Sequence, residues 1–253
     1  MMDYARLMAQ AALLRKRLGE DSDSPIDIFA LAQNVEGLTI VFYPLGEKLS
    51  GMCVKGQEGN NTIAINSSMT LGRQRFSLAH EFYHLYYDDN MVSVCAMKIN
   101  SGKEIEKKAD MFASYFLMPE TSLIMLAGKL TEKQATKHIT LNDVIRIEQY
   151  FGVSHQAAVY RLMHTSYLSE EEGNSLLSEA IRSKAVALGF SSKLYRPSPE
   201  AKQYMTYGNY ISQAEQVLSK GLVSDGKYEQ LLLDAFRADL VYGDEEEGGD
   251  VID

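Results

Sequence analysis

The stretch RQRFSLAHEFYHLYYDD, residues 73–89, sets His80, Glu81 and His84 in the pattern H-E-x-x-H inside an apolar run of helical period. Positions four apart on an α-helix lie one above the other, about 5–6 Å between Cβ atoms, so His80 and His84 can aim both imidazoles at one ion. Glu81 falls on a neighbouring face, where it can act as general base on a water that zinc has made acidic. With five histidines in the chain, a shuffled sequence gives this pattern by accident in about 1% of cases. Chance is a poor account; the other reading is three polar residues on the rim of a core helix packed by Phe76, Leu78, Phe82 and Leu85.

A catalytic zinc takes three protein ligands, so a further donor must come from another element. GKEIEKKADMFASYFLMPE, residues 102–120, keeps a 3.6 period through Ile105, Ala109, Phe112, Ala113, Phe116 and Leu117 until Pro119 interrupts it. Glu106 and Asp110 stand beside that stripe, four apart. Glu106 is placed to be the third ligand, and Asp110 to accept a hydrogen bond from the free ring nitrogen of a ligand histidine. Glu104 competes for the ligand role, and Glu106 and Asp110 also read as surface charges beside Lys107 and Lys108.

Further out, three short β-rich runs, LTIVFYPL, LSGMCVKG and NTIAINSS, predict a three-stranded meander over residues 38–66 that leads into Thr70 as N-cap of a helix over 71–88. Before it come a helix over 3–18 and a second one in SPIDIFALAQNV, capped by Ser24 with Pro25 at its first position. After it, TLNDVIRIEQYFGVSHQAAVYRLMHTSYL predicts two helices split by Gly152, with Ser154 capping the second. These have helix-turn-helix proportions over 141–164, yet the second offers Arg161 as its only full positive charge, so a packing pair is expected rather than a DNA reader. Residues 169–189 and 208–241 read as helical, with YRPSPEAKQ as a linker.

The expected architecture is α+β: a zincin-like domain over 1–168, with a small, mainly antiparallel sheet and an active-site helix, then a helical C-terminal extension over 169–242. The 253 residues are 45% hydrophobic and 23% charged, which suits a soluble globular protein. Arg6, Arg15, Lys16 and Arg17 break the N-terminal apolar run, and no stretch reaches the roughly 18 apolar residues of a membrane span. Cys53 and Cys95 are far apart and match no C-x-x-C spacing, which predicts neither a thiolate zinc site nor a disulfide framework, and fits a cytoplasmic location. The net charge of −9 argues against nonspecific DNA binding, although much of it sits in GDEEEGGDVID, residues 243–253, expected to be a solvated, disordered tail.

RFSLAHEFYHLYY followed by EKKADMFASYFLMP resembles the ImmA/IrrE family of zinc metallopeptidases, whose members show R-F-T-x-A-H-E-x-x-H and then E-x-x-A-[ND]-x-F-A-x-x-L-L-M-P. FGVSHQAAVYRL is similar to a later motif of that family, and the resemblance covers about residues 5–165. It implies one catalytic zinc ion held by His80, His84 and Glu106, with Glu81 as catalytic base. Phe82, Tyr83 and Phe116 depart from the commoner residues at their positions. The resemblance further implies cleavage of a helix-turn-helix repressor of a prophage, mobile element or stress response. The alternatives are a non-catalytic module that sequesters a repressor or pairs with an antitoxin and, further off, a DNA-binding regulator. Tyr83, Tyr115 and His138 are available as oxyanion donors.

Overall fold

The computed structural model describes residues 2–96, 99, 103–132 and 138–243; apart from Gly243, the acidic tail lies outside them. Helix α1 (Tyr4–Arg17) is followed by α2 (Ile28–Gln33). The second helix starts later than Ser24–Pro25 predicts, because the Asp27 side chain accepts from the backbone N–H groups of Phe29 and Ala30 and fixes the N-cap there. Arg15, 1% exposed, ties α1 to the layer beneath by donating from Nη1 to the Phe116 carbonyl oxygen at 2.7 Å.

Strands β1 (Leu38–Tyr43), β2 (Leu49–Val54), β3 (Asn61–Asn66), β4 (Val92–Ala96) and β5 (Met205–Gly208) form one sheet in the order β4-β2-β3-β1-β5. The sheet is mainly antiparallel as expected, but the meander is corrected: β1 pairs parallel with β3, from Leu38↔Asn61 to Tyr43↔Asn66, and β2 lies on the far side of β3. The chain between β1 and β2 therefore arches over the end of β3. Buried Asn66 fastens that arch, donating from Nδ2 to the carbonyl oxygens of Gly46 (2.6 Å) and Leu49 (2.7 Å) while its Oδ1 accepts from Leu45 N–H.

Helix α3 (Leu71–Tyr87) lies against β2 and β3 on one side and α4 (Glu104–Leu117) on the other. Phe82 meets Phe116 edge-on at 5.8 Å, and Tyr83 meets Phe112 at 5.5 Å. Helices α5 (Glu120–Glu132), α6 (Leu141–Phe151) and α7 (His155–His164) follow. Gly72 sets how the α6–α7 turn docks on α3: a Cβ there would stand 2.8 Å from Ser154 N and 2.9 Å from the Val153 carbonyl carbon. No side chain larger than hydrogen fits that approach.

The C-terminal part is mainly helical, with α8 (Glu170–Leu177), α9 (Ile181–Ala187), α10 (Asn209–Ser219), α11 (Asp225–Asp234) and α12 (Ala238–Tyr242). It also contributes β5, which pairs antiparallel with β1 just where the last helical stretch was expected to begin. Four residues ending in glycine carry too weak a pattern to reveal a strand, and β5 exists because β1 offers it an edge. No single described helix is long and apolar enough to cross a membrane.

Candidate metal centre

The first turn of α3 is anchored from a distance. Thr70 occupies the N-cap but its side chain makes no capping bond; instead Leu71 N–H donates to the Arg196 carbonyl oxygen at 2.7 Å. From that start the helical period carries His80 and His84 to the face towards α4 and Glu81 towards β2. All three are buried, at 7%, 1% and 0% exposure for His80, His84 and Glu81.

His80 Nε2 and His84 Nε2 stand 3.2 Å apart. Glu106 reaches them from α4, with its Oε2 3.4 Å from His80 Nε2 and its Oε1 3.6 Å from His84 Nε2. Asp110 accepts from His80 Nδ1 at 2.9 Å, one helical turn beyond Glu106. Glu104 turns away, paired with Lys108 at 2.8 Å. Of the oxyanion candidates, Tyr83 packs on Phe112, Tyr115 lies under the Arg161 guanidinium at 4.0 Å, and His138 is exposed towards Glu172.

Asp88, at the C-cap of α3, does for His84 what Asp110 does for His80, accepting from Nδ1 at 2.7 Å. The spacing was legible as His84 plus four, but the residue follows the last helical turn. An ionised carboxylate only accepts, so each Nδ1 carries the proton. Where each ring is neutral, both Nε2 atoms therefore present lone pairs to each other and to Glu106. Such a set repels itself unless a cation or proton lies among them. Two atoms about 2.0–2.1 Å from one tetrahedral ion stand about 3.3 Å apart, which the three observed separations match closely. The donor set fits a divalent metal ion.

Without the ion, electrostatics divide the two rings. Burial opposes charge on His80, but hydrogen bonds to Asp110, Cys95 and Glu106 outweigh it and hold its pKa well above the usual value. Burial and the charge of His80 push His84 down. The hydrogen bond from His80 keeps Glu106 below the usual carboxylate range.

Burial raises the Glu81 pKa to about 7. Its Oε2 accepts from Ser93 Oγ at 3.3 Å, while Oε1 is buried without a hydrogen-bond partner. Gly51 of β2 makes room for it: a Cβ there would stand 2.9 Å from Glu81 Oε1 and 2.9 Å from the Ala64 carbonyl oxygen. A glycine inside a strand is the sequence signal of such close approach.

No C-x-x-C partner marks Cys95 in the sequence as a metal ligand. Strand β4 brings its sulfur to the two imidazoles and Glu106, and the four donor atoms all lie within 4.8 Å of one another. Burial pushes its thiol up to about 12. Cys53 and Cys95 are both free and buried.

Residues 33–163 match the peptidase M78 family, described as the IrrE N-terminal-like domain. The chain belongs to this family. The M78 region begins within α2 and ends in α7, so it holds the sheet apart from β5, both site helices and the docked helix pair. The chain is also similar to the radiation response metalloprotease IrrE of Deinococcus deserti, at 24% identity over 184 residues, 68% of this chain and 64% of that protein. It thus spans under two thirds of the length of the curated relative it matches.

Proposed function

We propose that this M78 chain is a cytoplasmic zinc metalloendopeptidase that hydrolyses a peptide bond in a protein substrate, with a helix-turn-helix repressor as the substrate class. The observation that carries the reading is the Glu81 carboxylate, buried beside the paired imidazoles with one oxygen free of protein partners. A purely structural metal site has no use for a base there. Zinc held by His80, His84 and Glu106 would supply Lewis acidity, making a water nucleophilic near neutral pH and polarising the scissile carbonyl.

The protein's own residues do the rest. Asp110 and Asp88 keep the protons on Nδ1, so Nε2 of each histidine is the donor atom. Ser93 holds Glu81 Oε2 and leaves Oε1 to take a proton from the attacking water and return it to the departing amine. Burial lifts the Glu81 pKa towards the working pH, the direction that a base which both accepts and releases a proton needs. Among the described strands β4 ends the sheet with β2 as its one neighbour, which gives an extended substrate an edge to add to. Against DNA reading, Arg161 of α7 is 1% exposed, held by Glu120 and stacked on Tyr115.

Glu81→Gln tests the reading. It is expected to keep metal content and partner binding while cleavage of a repressor encoded beside the gene falls about 10²–10⁴-fold. Repressor inactivation that survives the substitution would replace hydrolysis with sequestration.

A further inference from the structure

Four donors, not three, converge between α3, α4 and β4: the imidazole nitrogens of His80 and His84, a Glu106 oxygen and Cys95 Sγ, all within 4.8 Å of one another. Across a tetrahedral zinc ion a sulfur and a nitrogen stand about 3.6 Å apart, so gathering the four onto one ion takes a contraction on the order of 1 Å. The pleat of β4 aims the sulfur inward: Val92 and Val94 are 55% and 52% exposed, and Cys95 is 0% exposed. Ser50 Oγ, on β2, lies 3.3 Å and 3.1 Å from the carbonyl oxygens of Cys95 and Ala96 and holds the strand in that position.

Catalytic zinc sites keep one position for water, whereas sites filled by four protein donors are closed. The base is closed off as well, since Glu81 has no exposed surface. We propose that Cys95 is a fourth protein ligand to the ion and that the resting enzyme is thereby latent, the place a water needs being held by its sulfur until the Cys95–Ala96 end of β4 gives way. The inference rests on the peptidase reading above. The plug sits near the end of an edge strand: among the described strands β4 is laddered only to β2, its Cys95–Ala96 end meets β2 across an irregularity between Leu49 and Gly51, and that end can part while Ser93 stays opposite Cys53 and beside Glu81.

Cobalt(II) loaded into the full-length protein reports the ligand. The expected result is a near-ultraviolet thiolate-to-cobalt charge-transfer band, kept in Cys53→Ser and lost in Cys95→Ser with about one cobalt per chain still bound. Cys95→Ala stands in if the serine variant fails to fold, and the wild-type and Cys53→Ser spectra bear on ligation without either. Per bound metal, Cys95→Ser is expected to cleave substrate about tenfold faster. Full cobalt occupancy without the band, or a band that survives removal of Cys95, overturns ligation; an unchanged or lower rate overturns latency. In both cases cleavage that still depends on Glu81 leaves the peptidase reading standing. A chain that binds no cobalt at all takes both down.

Discussion

On α7, His155 Nδ1 lies 2.5 Å from Glu148 Oε1 and its Nε2 lies 2.9 Å from the Leu176 carbonyl oxygen. On α3, His80 and His84 also give Nδ1 to carboxylates, yet their Nε2 atoms face each other and Glu106. Each of these regions buries histidine against acid. In the first, both ring nitrogens end on acceptors, the ring carries its proton, and it ties α6, α7 and α8 together; Tyr195 completes the tie by donating to Glu148 Oε2 at 2.6 Å. In the second, the outward nitrogens converge on one another and on Glu106, an arrangement that a shared cation or proton among them satisfies. A histidine–carboxylate contact therefore says little until the far nitrogen is accounted for.

The largest effect is expected at Glu106, whose carboxylate faces both Nε2 atoms. Glu106→Gln should strip the protein of stoichiometric metal, while Glu104→Gln, whose carboxylate faces Lys108, should retain it; elemental analysis giving the reverse order would assign the wrong carboxylate to the ion. A smaller effect is expected from Asp88→Asn, which keeps the size of the group but weakens its hold on His84 Nδ1. Metal affinity should drop about 10–100-fold, read by competition with a chelator, and wild-type affinity would show that Asp88 does not orient the ring.

The smallest effect should come from the structural histidine. His155→Ala leaves Glu148, 0% exposed, short of one partner and should cost about 1–3 kcal/mol of stability in urea unfolding, with metal content unchanged. Burial lowers the His155 pKa, but the hydrogen bond and charge of Glu148 outweigh it and raise it above 6.5. Its contribution is thus fully present below the unfolded value and is lost as pH rises through the folded one. The variant should lack that slope. Equal pH dependence in both proteins, or loss of metal on removing His155, would erase the distinction between the two regions.

Much of the centre was legible because helices write their contacts locally. His80 and His84 share a face by spacing alone, and Glu106 with Asp110 flank an apolar stripe that had to pack on something. Ser154 caps α7 through Ala157 N–H as its sequence suggests. The sheet was harder: β1, β2 and β3 were each visible, but no strand pattern records the arch between β1 and β2 that Asn66 fastens, nor the parallel pairing of β1 with β3.

By itself, then, the sequence determined which residues lie on the α3 and α4 faces, hence the placing of His80, Glu81 and His84 on one helix and of Glu106 and Asp110 on the other, because helical periodicity is a property of adjacent residues. Only tertiary structure decided that β1 runs beside β3, that Met205–Gly208 completes the sheet, that Gly51 clears space for Glu81, and that Cys95 faces the same point as His80 and His84. Those depend on the register between strands distant in the chain, where pairing geometry rather than local propensity sets which side chain meets which.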